Sequence, residues 1–157
     1  MASARKVELD CEASFASAAA RVVKVRAKEV FEQVDGVLEL AEIERVHDMR
    51  VATRRLRAAL EVFEACFPRK RHRKALKRVK ALADALGERR DLDVEIVLLE
   101  GLVKDIAVQD REALAGLIED LRARQRRAND DLAPFVAAER LKKLRRRLKK
   151  LVKAVQA

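Results

Sequence analysis

The sequence predicts an all-α protein, an antiparallel bundle of five to six helices, and three observations support this fold class. Only four Gly and two Pro occur among 157 residues, and Ala, Leu, Glu, Lys and Arg dominate, which is typical of long helices. Apolar residues recur every three or four positions, and no stretch shows a convincing strand pattern. Breaks between these stretches are short, so consecutive helices should be antiparallel neighbours in one domain, residues 1–157.

The first two predicted helices end at residues that interrupt helices. The first covers about residues 11–34 and ends at Asp35-Gly36, because this pair favours a turn. The second covers about residues 43–67 and stops at Pro68, which cannot continue a helix.

The third and fourth predicted helices are separated by a short junction. The third covers about residues 69–86, with Gly87 well placed as its C-terminal glycine. Asp91 is expected to cap the fourth, which extends to about residue 108. The fourth helix is apolar almost all round, so it is expected at the centre of the bundle. A fifth should begin at Asp110, and Pro134 should open a sixth.

Positive charge is concentrated in two blocks of the chain, which has a net charge of +10. Residues 41–90 carry 15 basic and 7 acidic side chains, and residues 132–157 carry 9 and 1. Residues 91–131 carry 6 basic and 11 acidic side chains. This segregation indicates a directed positive surface and a polyanionic partner.

The second predicted helix carries the most informative pattern. At about 100° per residue, His47, Arg50, Arg54, Arg57 and Glu61 fall within roughly 80° of one another, with apolar residues opposite. The cationic side extends for about 15 Å. Because guanidinium groups bind phosphate oxygens bidentately, this side suits an extended polyanion. We call Arg50, Arg54 and Arg57 the arginine row.

Two further predicted helices, the third and the last, also carry basic faces opposite their apolar residues. The candidate anion-binding residues beyond His47 and the arginine row are Arg55, Lys70, Arg73, Lys74, Lys77, Arg90, Lys143, Arg146 and Lys150.

The two histidines have different predicted roles. His47 lies on the cationic side of its helix, where a nearby phosphate would favour the doubly donating imidazolium; a capping or core-edge role is the alternative. His72 lies on the apolar side of the third helix and is expected to be structural.

The sequence favours a binding protein over an enzyme. It has no Gly-rich phosphate loop, nucleophile elbow or paired-carboxylate motif, and no cofactor is expected. With two histidines and no CxxC, a metal centre is hard to assemble, and Cys11 and Cys66 are expected to be reduced. No apolar run is long enough to span a membrane and no signal peptide is recognisable, so a cytoplasmic location is expected.

Two motifs resemble the CHAD family, the conserved histidine α-helical domain. The first is a helix with His, Arg three residues on, a doubled basic pair and a further Arg; the second is a Leu-Gly…Arg-Asp-x-Asp-Val junction. The resemblance covers about residues 10–108. The two motifs are carried here by His47, Arg50, Arg54, Arg55, Leu56 and Arg57, and by Leu86, Gly87, Arg90, Asp91, Asp93 and Val94.

The resemblance implies binding of inorganic polyphosphate and association with polyphosphate granules, with the candidate residues above as the binding set. The family usually has two similar helical halves, so this chain resembles one half, and a homodimer could restore the second. The final helix repeats the first motif at an offset of 92 with Glu139 in place of the histidine, so a true internal repeat stays open. The rival reading is a sequence-nonspecific nucleic-acid-binding protein, since a pI near 10.1 fits that equally well.

Overall fold

A computed structural model of the chain describes residues 3–155. No strand occurs in this part of the chain, so the predicted all-α bundle is confirmed. Short 3-10 turns precede the third and fourth helices, at Glu64–Cys66 and Val108–Asp110. The five helices are α1 (Phe15–Glu32), α2 (Ile43–Val62), α3 (Arg69–Leu102), α4 (Arg111–Val136) and α5 (Ala138–Lys153).

Local signals explain how α1 begins and how the chain turns toward α2. The hydroxyl oxygen of Ser14 accepts a hydrogen bond from the Ser17 backbone N–H at 3.2 Å and caps α1. Gly36 has a φ of 75°, a conformation that other residues rarely adopt. The predicted break at Asp35-Gly36 is therefore confirmed, although α1 is shorter at both ends than predicted.

α3 is one helix of 34 residues where the sequence predicted two. Gly87 lies inside it and does not end it, and Asp91 is not an N-cap. The helix continues because its buried face continues through Leu92, and because Arg89 forms an ion pair with Asp93 one turn on. This packing outweighs the cost of one helical glycine, about 1 kcal/mol relative to alanine.

The boundary between α4 and α5 also differs from the prediction. Pro134 does not open a helix; it lies in the last turn of α4, which ends at Val136. Because proline has no N–H, the carbonyl of Asp130 receives no backbone hydrogen bond from position 134, and α4 ends two residues later. Ala137 alone separates α4 from α5, and Asp110 occupies the N-cap position of α4 without a side-chain hydrogen bond.

The helices form a bundle with a large core and an extension with a small one. α1, α2, α5, the first half of α3 and the end of α4 share the main core. The Arg90 guanidinium donates to the Ile43 carbonyl, so Arg90 lies beside the start of α2. The part of α3 that follows Arg90 extends beyond this end of α2. We call residues 91–122 the arm. Its core holds Leu92, Ile96 and Leu121.

The arm is not the centre of the bundle, so the prediction of a central fourth helix is wrong. Leu92 and Ile96 are buried on one side of α3. The apolar residues on the other side are 42 to 62% exposed; they are Val94, Val97, Leu98 and Leu102.

Candidate anion-binding clefts

The arginine row lies on the accessible side of α2, as the helical pattern predicted. Arg54 is exposed, and Arg50 and Arg57 are half-buried. On the opposite side of the helix, Met49 and Leu56 are completely buried in the main core. α2 therefore contributes an apolar face to the core and a cationic face to the surface.

A cleft of about 400 Å³ lies between α2 and α3, and the arginine row lines its α2 side. We call it the α2–α3 cleft. Its α3 side carries three acidic residues, Asp84, Glu88 and Asp91. The helical pattern placed one acid, Glu61, on this side of α2. The further carboxylates that face the arginine row belong to another helix.

Glu61 neutralises part of the charge at the end of the arginine row. Arg57 Nε donates to Glu61 Oε1 at 3.1 Å, and Lys80 Nζ lies 3.0 Å from the same oxygen. The hydrogen bonds from Lys80 and Arg57 lower the pKa of the Glu61 carboxyl below its ordinary value. Glu61 is thus ionised at neutral pH and attracts both cations.

The other residues of the first and second motifs have varied positions. His47 and Arg55 are half-buried on α2, and neither lines the α2–α3 cleft. Arg90 joins α3 to the start of α2, since its guanidinium donates to the Ile43 carbonyl at 3.2 Å and lies 3.4 Å from Glu44 Oε1. Arg90 therefore has a structural contact in addition to any role in binding.

The structural role predicted for His72 is confirmed. Only 1% of the residue is exposed, and its Nε2 lies 2.7 Å from the carbonyl oxygen of Leu60 on α2. The cysteines are free, with Cys11 exposed and Cys66 half-buried.

A second cleft, of about 410 Å³, lies between α3 and α5 beside the end of α4. We call it the α3–α5 cleft. None of its lining residues is acidic, and within residues 3–155 none of its cations forms an ion pair. Five cationic side chains line it: Lys74, Lys77 and Arg78 from α3, and Arg140 and Arg147 from α5.

Apolar side chains contribute to the lining of the α3–α5 cleft. Leu82 and Leu144 are buried beneath its cations. The guanidinium carbon of Arg140 lies 4.4 Å from the centre of the Phe135 ring, a cation–π contact at the cleft wall.

Two of the lining cations, Lys74 and Lys77, are among the candidates predicted from the sequence, and the three arginines of the cleft are not. Arg78 was not singled out on α3. Arg140 and Arg147 border the apolar stripe of α5, and their spacing with Leu144, at i, i+4 and i+7, is the signal that could have found them. The remaining predicted cations of α3 and α5 are exposed but do not line the cleft: Lys70, Arg73, Lys143, Arg146 and Lys150.

Two further findings concern metals and membranes. Among residues 3–155, no group of three or more His, Cys, Asp and Glu side chains could hold a metal ion. Within the same range, every helix is too short or too polar to cross a bilayer.

The fold and the clefts define the class of protein, an all-helical bundle whose surface clefts are lined by cations. The profile of the CHAD domain matches residues 21–157, so the chain belongs to the CHAD family. This family is associated with polyphosphate binding in general. The match extends past the two sequence motifs and includes α5. Comparisons with curated proteins and with solved structures give no significant match.

Proposed function

We propose that this protein binds inorganic polyphosphate and acts as a binding module, not as a catalyst. The observation that carries the proposal is the gathering of cationic side chains from α2, α3 and α5 around two clefts in a CHAD chain. Arginine and lysine bind phosphate oxygens through charge-assisted hydrogen bonds. Polyphosphate presents a phosphate at every link, with no bases between, so it can follow narrow clefts of this kind. We further propose that the protein associates with polyphosphate granules through these contacts.

The competing function is sequence-nonspecific binding of nucleic acid, which would use the same cations. Binding of single strands depends on exposed aromatic rings that stack on bases. Of the five Phe residues only Phe15 is exposed, and its ring centre lies 5.3 Å from that of Phe63. The chain has no Trp or Tyr. Duplex DNA, contacted through its phosphates alone, is therefore the competitor to use.

A competition experiment tests the proposed function. Labelled long-chain polyphosphate is bound to the protein at about 0.15 M salt, the physiological range, and duplex DNA is added at matched phosphate concentration. We expect polyphosphate to stay bound, and its affinity to fall linearly with salt on a log–log plot because counterions are released. Displacement of polyphosphate by DNA would instead establish the nucleic-acid function.

We also propose that polyphosphate joins two copies of this chain. The CHAD resemblance implies two similar helical halves, and residues 1–157 resemble one of them. At +10 per chain, two copies repel one another, and a bound polyanion supplies the counter-charge. Light scattering should show a dimer when polyphosphate is present. A strict monomer with one-to-one stoichiometry would contradict this pairing without affecting the binding proposal.

A further inference from the structure

We infer that the α3–α5 cleft, and not the arginine row, is the site that binds polyphosphate most tightly. The inference rests on the proposed function and names the site within the basic surface. The family motif indicates the arginine row as the binding site, whereas the charges that line the two clefts favour the α3–α5 cleft.

The two clefts have nearly equal volumes, about 400 and 410 Å³, but different charge balances. In the α2–α3 cleft three guanidinium groups face three carboxylates, and Arg57 also pairs with Glu61. A phosphate entering there lies close to like charges, which disfavour it. In the α3–α5 cleft a phosphate meets five cations and no lining carboxylate. The attraction to a polyanion is therefore stronger in the α3–α5 cleft.

Three cations of the α3–α5 cleft are already restricted without being paired to a carboxylate of residues 3–155. Arg140 lies against the Phe135 ring, and Arg78 and Arg147 are half-buried, as Arg50 and Arg57 are in the other cleft. Side chains that are already restricted lose less conformational entropy when a ligand binds. The buried Leu82 and Leu144 lower the local dielectric, which strengthens charge-assisted hydrogen bonds.

Acidic residues on α3 limit how far a bound chain can follow this helix. Lys77, Ala81, Asp84 and Glu88 share one stripe of α3, at i, i+4, i+7 and i+11. A phosphate chain running from Lys77 toward the arm meets Asp84 after about 10 Å, at 1.5 Å per residue. The α3–α5 cleft therefore fits a short segment of the polymer. Inorganic tripolyphosphate is a suitable probe because it is too short to bridge distant surfaces of the protein.

Three double variants, each removing two positive charges, test the inference. Arg78→Gln with Arg147→Gln alters the α3–α5 cleft, and Arg50→Gln with Arg54→Gln alters the arginine row. The matched control changes two exposed arginines of α4 that line neither cleft, Arg126→Gln with Arg127→Gln. All three lower the net charge by the same amount, so a larger loss in one variant shows which of these positions lies near the bound phosphates. Affinity for tripolyphosphate and for long-chain polyphosphate is measured across a salt series.

We expect the α3–α5 variant to bind both probes at least about tenfold more weakly. Its log–log salt slope for long-chain polyphosphate should fall by roughly one for each lost contact. The row variant and the control should each change affinity by about threefold or less, with nearly unchanged slopes. A row variant that loses as much as the α3–α5 variant, or equal losses in all three, would overturn the inference. Failure of the unaltered protein to bind long-chain polyphosphate would instead refute the proposed function.

Circular dichroism and thermal melting show whether each variant is folded. If the Arg78→Gln, Arg147→Gln variant loses helicity, Lys74→Gln with Lys77→Gln takes its place, since both lysines are exposed in the same cleft. The same tenfold loss is expected from this second pair, and a loss no larger than that of the control would equally overturn the inference.

Discussion

The two halves of α3 place one continuous helix in two different surroundings. In the bundle, its buried face includes His72, Val79 and Leu86, each at most 1% exposed. In the arm, Leu92 and Ile96 are buried, while Val94 and Leu98 on the other side are 50 and 62% exposed. The arm has a larger fraction of apolar residues than the bundle half of α3, and yet less of its apolar surface is buried. Burial thus follows from which helices pack together, and apolar content alone does not determine it.

The largest expected effect concerns the junction of these halves, where Arg89, Asp93 and Gln125 form a buried network. Arg89 pairs with Asp93, and Gln125 Nε2 donates to Asp93 Oδ1 at 2.6 Å. Burial, aided by the charge of Arg90, lowers the pKa of Arg89 to about 10, so Arg89 is still protonated at neutral pH. Asp93→Ala would leave this charge unpaired. We expect it to lower the free energy of unfolding by about 3–5 kcal/mol in urea denaturation.

The paired replacement Arg89→Met with Asp93→Leu is the control for that variant. It removes both charges but leaves Gln125 Nε2 without its acceptor, so we expect a smaller loss of stability than for Asp93→Ala. A loss below about 1 kcal/mol for Asp93→Ala would show that the Arg89 guanidinium reaches solvent. It would contradict the burial of Arg89 at the junction of the two halves of α3.

The next comparison truncates one leucine in each half of α3. Leu86→Ala removes a fully buried side chain in the bundle, and we expect a loss of about 2–5 kcal/mol. Leu98→Ala removes an exposed side chain in the arm, and we expect a change within about 0.5 kcal/mol. Thermal unfolding monitored by circular dichroism measures both. A large loss for Leu98→Ala would mean that the outer side of the arm is covered in solution.

The smallest expected effects concern glycines inside and outside α3. Gly87 is helical, and a Cβ added there meets no atom within 4 Å. Gly87→Ala should therefore raise the free energy of unfolding by about 0.5–1 kcal/mol. Gly36→Ala is the matched contrast, with an expected loss of about 1–2 kcal/mol because the φ of Gly36 is positive. A destabilising Gly87→Ala would indicate that the junction of the two halves is not regular helix.

Helical periodicity predicted the features that depend on one helix at a time. The buried face of α2, the accessible arginine row and the structural His72 all follow from spacing along a single element. The features that depend on two helices were beyond it. Nothing in the spacing of α2 shows that Asp84 and Glu88 face the arginine row, or that Arg147 lies opposite Arg78.

The false break at Gly87 has a different origin. Glycine followed by Asp91 is a reasonable local signal for the end of one helix and the start of another. Local preferences of this size, about 1 kcal/mol, are smaller than the packing of Leu86 and Leu92 on a continuous face. The local signals at Gly87 and Asp91 therefore predicted a break between two helices where the structure has one continuous helix.

The small core of the arm has a consequence for hydrogen exchange. Its amide protons are protected mainly by the packing of Leu92 and Ile96 against Leu121, whereas those of the bundle are protected by the main core. Segments with few buried apolar contacts open without global unfolding. Backbone amides in the arm should thus exchange with deuterium well before those of residues 72–86, although both belong to the same helix.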